Sequence, residues 1–300
     1  MNASEQHEHR MVSVPVHRVG ADRVTPALDL IAVEEPLEIR LAYGPSGARA
    51  HHRLSVTMRT PGHDEELATG FLLAEGIIRA AGDCRVFRSR RAAAGGDVLT
   101  VELDGDVTFR PDRLERQFYT TSSCGVCGKT SLEALRMAAC PDLPNDGPCL
   151  DAALIHRLPE RVRREQRVFE QTGGLHAAAL FDAQGNLLVM REDVGRHNAV
   201  DKVIGHAARE GRLPFRDGVL FVSGRMSFEL VQKAIMAGAP VTAAVGAPSS
   251  LAVRLARAFG VTLLGFVREG RYNVYSAPWR IRGCLSGDGG VVSCAAASLS

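Results

Sequence analysis

The sequence predicts an α/β chain, α+β overall, with a mixed, partly parallel sheet and helices in a larger C-terminal domain and a smaller, strand-rich domain before it. Two rhythms carry this prediction. After Leu175, buried-type apolar runs alternate with helical stretches of about ten residues, the signature of βαβ units. Before residue 150, apolar residues recur mainly with period two, around a single clear helix. A Pro/Gly/Asp connector from Pro141 to Pro148 separates the two rhythms.

The boundaries follow in order. Residues 1–24 are polar and without periodicity, and are expected to form a flexible arm. Residues 25–150 form the smaller domain. Strands are expected within Asp29–Tyr43, where Leu37-Glu38-Ile39-Arg40-Leu41 alternates, and over Leu54–Thr60, closed by Pro61-Gly62. Asp64 opens a helix carrying Leu67, Phe71 and Leu72, and Val98–Leu103 is a further strand. This domain ends in a Cys-x-x-Cys loop over 120–129, a short helix over Ser131–Met137 and the connector.

Residues 151–281 form the larger domain. Leu154 to Phe169 reads as one charged amphipathic helix, and Leu175–Phe181 with Leu187–Met190 as a hairpin around Asp182–Asn186. Helices are expected over Asn198–Glu210, Phe228–Met236 and Ser250–Phe259. Strands are expected over Gly218–Val222, Val241–Val245, Val261–Val267 and Tyr272–Tyr275. Residues 282–300 are Gly/Ser/Ala-rich and read as a disordered tail.

Composition narrows the function classes. A formal net charge of +2 over 300 residues argues against binding nucleic acid through bulk charge. No apolar run approaches the roughly 20 residues that cross a bilayer, and Met1–Arg10 has no signal-peptide core, so a cytoplasmic location is expected. Seven scattered cysteines do not make a secreted disulfide framework.

Cys124 and Cys127 lie in Thr120–Lys129, a run of hydroxyl and glycine residues. Their spacing suits a disulfide, half a metal site or a transferable sulfur. A structural zinc wants a second close pair of ligands, and no second CxxC, HxxxH or CxxH appears, so no metal site is expected. The motif also does not open a helix directly after a strand, which disfavours thioredoxin-type exchange.

Two strand-to-helix junctions, Ser223-Gly224-Arg225 and the one containing Gly246, suit an anion. Glycine admits a close ligand, free amides point outward and Arg225 supplies a planar donor fork. The plainer reading of each is a turn with a serine cap. In Glu192–Asn198, Asp193 and His197 have acid–base capacity and Arg196 suits phosphate, against the alternative of a hydrogen-bonded turn. His176 reads as structural, and Arg268 and Arg271 as turn residues unless that turn closes on the same cleft.

Taken together these segments resemble the FdhD family of formate dehydrogenase accessory proteins. The resemblance rests on Thr57-Met58-Arg59-Thr60-Pro61-Gly62, Ser123-Cys124-Gly125-Val126-Cys127-Gly128, Thr172-Gly173-Gly174-Leu175-His176, Ser223-Gly224-Arg225 and Gly265-Phe266-Val267-Arg268. Its most specific part is Asp193-Val194-Gly195-Arg196-His197-Asn198-Ala199-Val200-Asp201-Lys202, and it runs from about Val33 to Ile281.

The resemblance implies a sulfur carrier. It would take persulfide sulfur from a cysteine desulfurase and pass it to the molybdenum bis(molybdopterin guanine dinucleotide) cofactor destined for formate dehydrogenase. It implies a cytidine-deaminase-like larger domain and a homodimer, with Cys124 bearing the persulfide and Cys127 assisting. The guanine nucleotide (GDP-like) ends would be held by Ser223, Gly224, Arg225, Gly246 and His197, under Phe266, Val267, Arg268, Glu269, Gly270 and Arg271. The zinc deaminase pattern H-x-E…P-C-x-x-C is absent, which disfavours deamination. A cofactor-binding chaperone without sulfur transfer and a redox or zinc CxxC module remain the alternatives.

Overall fold

The computed structural model describes residues 10–91, 95–111, 143 and 147–283. The Cys124 and Cys127 loop, the helix expected over Ser131–Met137 and the tail from Cys284 lie outside the described residues.

A four-stranded sheet comes first. Leu37, Ile39 and Leu41 alternate with polar neighbours, so β3 (Glu35–Tyr43) buries one face and pairs antiparallel with β4 (Ala50–Arg59). β6 (Asp97–Leu103) runs parallel to β3 on its other side and carries β5 (Cys84–Arg91) at the edge. Helix α1 (Asp64–Ala74) follows β4 and buries Leu67, Ala68, Leu72 and Leu73.

The second sheet is six-stranded, in the order β13 (Arg271–Ser276), β12 (Thr262–Arg268), β11 (Val241–Ala244), β10 (Gly218–Val222), β8 (His176–Asp182) and β9 (Leu187–Asp193). Its centre is parallel, with β10, β11 and β12 side by side. The flanks are antiparallel. β8 and β9 form the expected hairpin on one side, and β13 the other flank. β10 and β11 are buried at every position, as parallel strands covered on both faces must be.

One face of this sheet packs on α2 (Ala152–Glu165) through Leu154, Ile155, Leu158 and Val162. The other packs on α4 (Arg196–Arg209), α5 (Phe228–Met236) and α6 (Ser250–Ala258), and that core continues without a break into α1 and the four-stranded sheet. The join is close. A Cβ on Gly70 of α1 would stand 1.9 Å from the Asp201 carbonyl oxygen, and one on Gly205 of α4 would stand 1.8 Å from that of Glu66. The two helices therefore cross backbone to backbone.

Three expectations change. The described part of the expected arm is ordered: β1 (Met11–Val19) pairs along its length with β2 (Val24–Ala32). Val12, Val14 and Val16 alternate along β1, but Pro15 within the run argues against a strand, which is why it is hard to see in the sequence. The ribbon is anchored at its base, where Arg10 donates to the Glu192 carbonyl at 2.9 Å.

The expected helix over Leu154–Phe169 is two, α2 and α3 (Arg167–Thr172), broken at Gln166. The buried Glu192 carboxylate accepts from the amides of Val168 and Phe169, at 3.3 and 2.9 Å, and so holds the second start in place. Arg282, expected in the tail, instead continues Ile281 into β14, which runs parallel to β7 (Leu150–Asp151). The overall class is the mixed α+β fold expected.

Candidate functional site

The parallel strands β10, β11 and β12 end together, and their exits are stitched into a shelf. Gly246 N donates to Gly224 O at 3.0 Å, Met226 N to Ala247 O at 3.1 Å, and Ser249 N to Met226 O at 3.0 Å. Phe266 N donates to Gly246 O at 3.2 Å, which joins the end of β12 to the same shelf. The loops leave no room for side chains between them. A Cβ at Gly246 would lie 2.9 Å from Gly224 O, and one at Gly265 would lie 2.9 Å from Pro248 Cδ. Such a position, outside the carboxyl ends of parallel strands, is where open α/β sheets take ligands.

Phe266 is the strained residue here. Its φ is 54°, a region aromatic residues rarely enter, and its ring is 38% exposed while Val267 is buried. A register irregularity between Gly265 and Arg268 turns the ring outward. Arg268, Glu269, Gly270 and Arg271 continue as an exposed turn, with Arg268 paired to Arg271 across it.

The other side of the shelf is His176 at the start of β8. A Cβ at Gly224 would stand 3.3 Å from its Nδ1. Burial, followed by the nearby Arg196, pulls the His176 pKa below the ordinary imidazole value. Ser223 is partly committed, since its Oγ accepts from Ala177 N at 2.8 Å. Arg225 is exposed.

Helix α4 points its start at the same region. Its cap residue is Gly195, which has no side chain to offer, and its first turn holds Arg196 and His197 in place of an acid. Arg196 Nε is buried without a hydrogen-bond partner among the described residues. His197 Nε2 lies 3.4 Å from Ser227 Oγ and 3.9 Å from Glu229 Oε2, across to the start of α5. His197, helped by the Ser227 hydroxyl and the residue's own amide, holds the Glu229 carboxyl at about 2.

Asp193 has no catalytic freedom. It is fully buried, 2.6 Å from the Lys202 ammonium, and accepts from Gly195 N, Asn198 Nδ2 and Thr60 N. Lys202 also donates to Thr60 O at 2.8 Å, Asn198 to Met58 O, and Val194 N to Thr60 Oγ1. The segments Thr57–Gly62 and Asp193–Lys202 are thus two halves of one clasp. Sequence reasoning singled out both without seeing that they meet.

Ser223, Gly224, Arg225, Gly246, Phe266 and His197 accordingly come together around the shelf and the α4 start, whereas Cys124 and Cys127 lie outside the described residues. Glu229 was missed. Its sequence signal is an acid two residues after the α5 cap, a position helices commonly fill with acids for their own sake. Among the described residues no group of three or more His, Cys, Asp or Glu is placed to hold a metal ion, and no helix is long and apolar enough to cross a membrane.

Residues 32–282 match the model of the FdhD/NarQ family. The chain belongs to the FdhD/NarQ family. It is 54% identical over 258 residues to a protein of Mycolicibacterium paratuberculosis named sulfur carrier protein FdhD, covering 84% of this chain and 92% of that one. A Streptomyces avermitilis protein of the same name is 49% identical over 272 residues, 89% of this chain and 94% of its own. One from Picrophilus torridus is 42% identical over 264 residues, 88% and 95% of the two chains. Among solved structures, a Desulfotalea psychrophila protein assigned as a formate dehydrogenase accessory protein superposes with a TM-score of 0.67 at 26% identity. The match covers 90% of this chain and 99% of that one.

Proposed function

We propose that this protein accepts persulfide sulfur from a cysteine desulfurase on Cys124 and delivers it to the molybdenum bis(molybdopterin guanine dinucleotide) cofactor, which formate dehydrogenase then receives. The observation that carries this reading is the near-full-length identity to proteins named sulfur carrier, in a chain that keeps Ser123-Cys124-Gly125-Val126-Cys127-Gly128.

The chemistry balances with the chain's own thiols. The Cys124 thiolate attacks the outer sulfur of the donor's persulfide. A new S–S bond forms as the donor's breaks, and the donor cysteine leaves as thiolate without net oxidation. Attack by the Cys127 thiolate on Cys124 Sγ then expels hydrosulfide and leaves a Cys124–Cys127 disulfide. The two thiols supply the two electrons that take the carried sulfur to sulfide. Lys129, two residues on, favours the thiolate.

The cofactor is cargo, and the shelf suits its nucleotide ends. Close-packed loops at Gly224 and Gly246 leave backbone within reach of a ligand, and the exposed Arg225 and Arg196 Nε, unpartnered among the described residues, are donors for phosphate. The Phe266 ring offers an apolar face at the rim. In this reading the protein is cytoplasmic, where thiols stay reduced, and works as a homodimer whose copies form the cofactor cleft.

The test is mass spectrometry after incubation with a desulfurase and cysteine. An adduct of about 32 Da on Cys124, absent in Cys124→Ala with unchanged circular dichroism, is the expected result. Normal loading of the Cys124→Ala protein would overturn the assignment.

A further inference from the structure

The side chains gathered around the shelf include the donors Arg225, Arg196 and His197. Glu229 sets a carboxylate beside these donors at the start of α5, and its side chain is 59% exposed. A carboxylate beside a phosphate repels it, so an acid kept at the mouth of an anion site needs a donor-bearing part of the ligand to face. His197 Nε2 stands 3.9 Å from its Oε2 and 3.4 Å from Ser227 Oγ, so both groups lie on its own side. A carboxylate has about four acceptor directions, so capacity remains for two further N–H groups.

We propose that Glu229 reads the 2-amino-oxopyrimidine edge of the ligand, taking its ring N–H and 2-amino hydrogens as a pair. Guanine presents that edge, and so does a pterin ring; adenine presents a ring acceptor instead and is repelled. The inference rests on the reading of the shelf as a nucleotide-cofactor site. The plainer role of Glu229, an acid in the first turn of α5, predicts no discrimination between bases.

Calorimetric titration of the full chain with GDP, IDP, XDP and free pterin, in wild type and Glu229→Gln, separates these. IDP lacks the 2-amino group, and XDP carries a carbonyl there, which a glutamine amide can donate to. If guanine is the ring read, the wild type prefers GDP over IDP and XDP by about 10- to 100-fold, the worth of a good bidentate base contact, and E229Q loses that preference and gains XDP. If the pterin is the ring read, E229Q loses pterin affinity by a similar factor and keeps that for GDP. Because the gain for XDP cannot come from misfolding, the guanine result survives any loss of stability in the variant. A wild type that binds GDP, with E229Q keeping both its GDP preference and its pterin affinity, overturns this inference alone. A wild type that binds neither GDP nor pterin overturns the nucleotide-cofactor reading with it.

Discussion

Lys202 sits on α4 with none of its side chain exposed, against an equally buried Asp193 at 2.6 Å. Burial lowers the Lys202 pKa and Asp193 opposes that shift. Replacing such a pair with apolar groups can be neutral, but removing one partner strands the other charge. Lys202→Met should therefore cost about 3–5 kcal/mol, read from urea unfolding, and a loss below about 1 kcal/mol would mean the clasp is not central to stability. His63 is a second residue whose surroundings set a measurable property. Burial, then the positive Arg191, lowers its pKa from 6.5 to about 4, with Glu66 opposing. The folded protein thus refuses a proton that the unfolded chain accepts below about pH 6.5. Stability should fall as pH drops from 6.5 towards 4 and level off below. The ring is partly exposed, so the effect is on the order of 1–2 kcal/mol. His63 has a φ of 59°, which asparagine tolerates, so His63→Asn should unfold with a shallower pH dependence over that window. An identical dependence would remove His63 as its source.

At the scale of elements, the crossing of α1 and α4 sets two effects against each other. Alanine at Gly205 would gain about 1 kcal/mol in helix propensity. Its Cβ, however, would stand 1.8 Å from the Glu66 carbonyl oxygen and 2.9 Å from Gly70 N, both backbone, so the helices would have to part. Overpacking of this kind costs about 1–3 kcal/mol or more, so Gly205→Ala should lower the melting temperature; an increase would show that the crossing is loose. Elements of this kind were largely legible in the sequence. Gly218–Val222 and Phe228–Met236 have the expected bounds, because a run of buried β-formers and an amphipathic repeat each specify their own structure. The shelf was legible as two parallel junctions, and Phe266 as part of a segment beside them. What stayed hidden depends on partners distant in the chain. Gln166 breaks a helix because Glu192 caps the next one, and Asp193 is structural because Thr60 and Lys202 meet it. Glu229 was hidden because nothing local links it to His197.

At the scale of the molecule, the sequence rhythms divide the chain while the packing joins it. Leu37, Leu99 and Leu103 of the first sheet share one buried core with Ala178, Leu220 and Leu263 of the second, through Leu67, Leu72, Val200 and Ile204. The clasp adds buried polar ties across the same join, where Lys202 and Asn198 hold the backbone of Thr60 and Met58. A segment whose core is completed by another cannot unfold without exposing apolar surface on both, at roughly 25 cal/mol per Å². Residues 10–111 and 147–283 should therefore melt as one cooperative unit. In calorimetry the expected result is a single transition whose calorimetric and van't Hoff enthalpies agree. Lys202→Met, which cuts the tie between Asp193 at the end of β9 and Thr60 just beyond β4, should move that transition as a whole. Two resolved transitions in the wild type would mean that the join is an interface between independently stable parts, and a Lys202→Met protein with one transition shifted and another unmoved would point to the same conclusion.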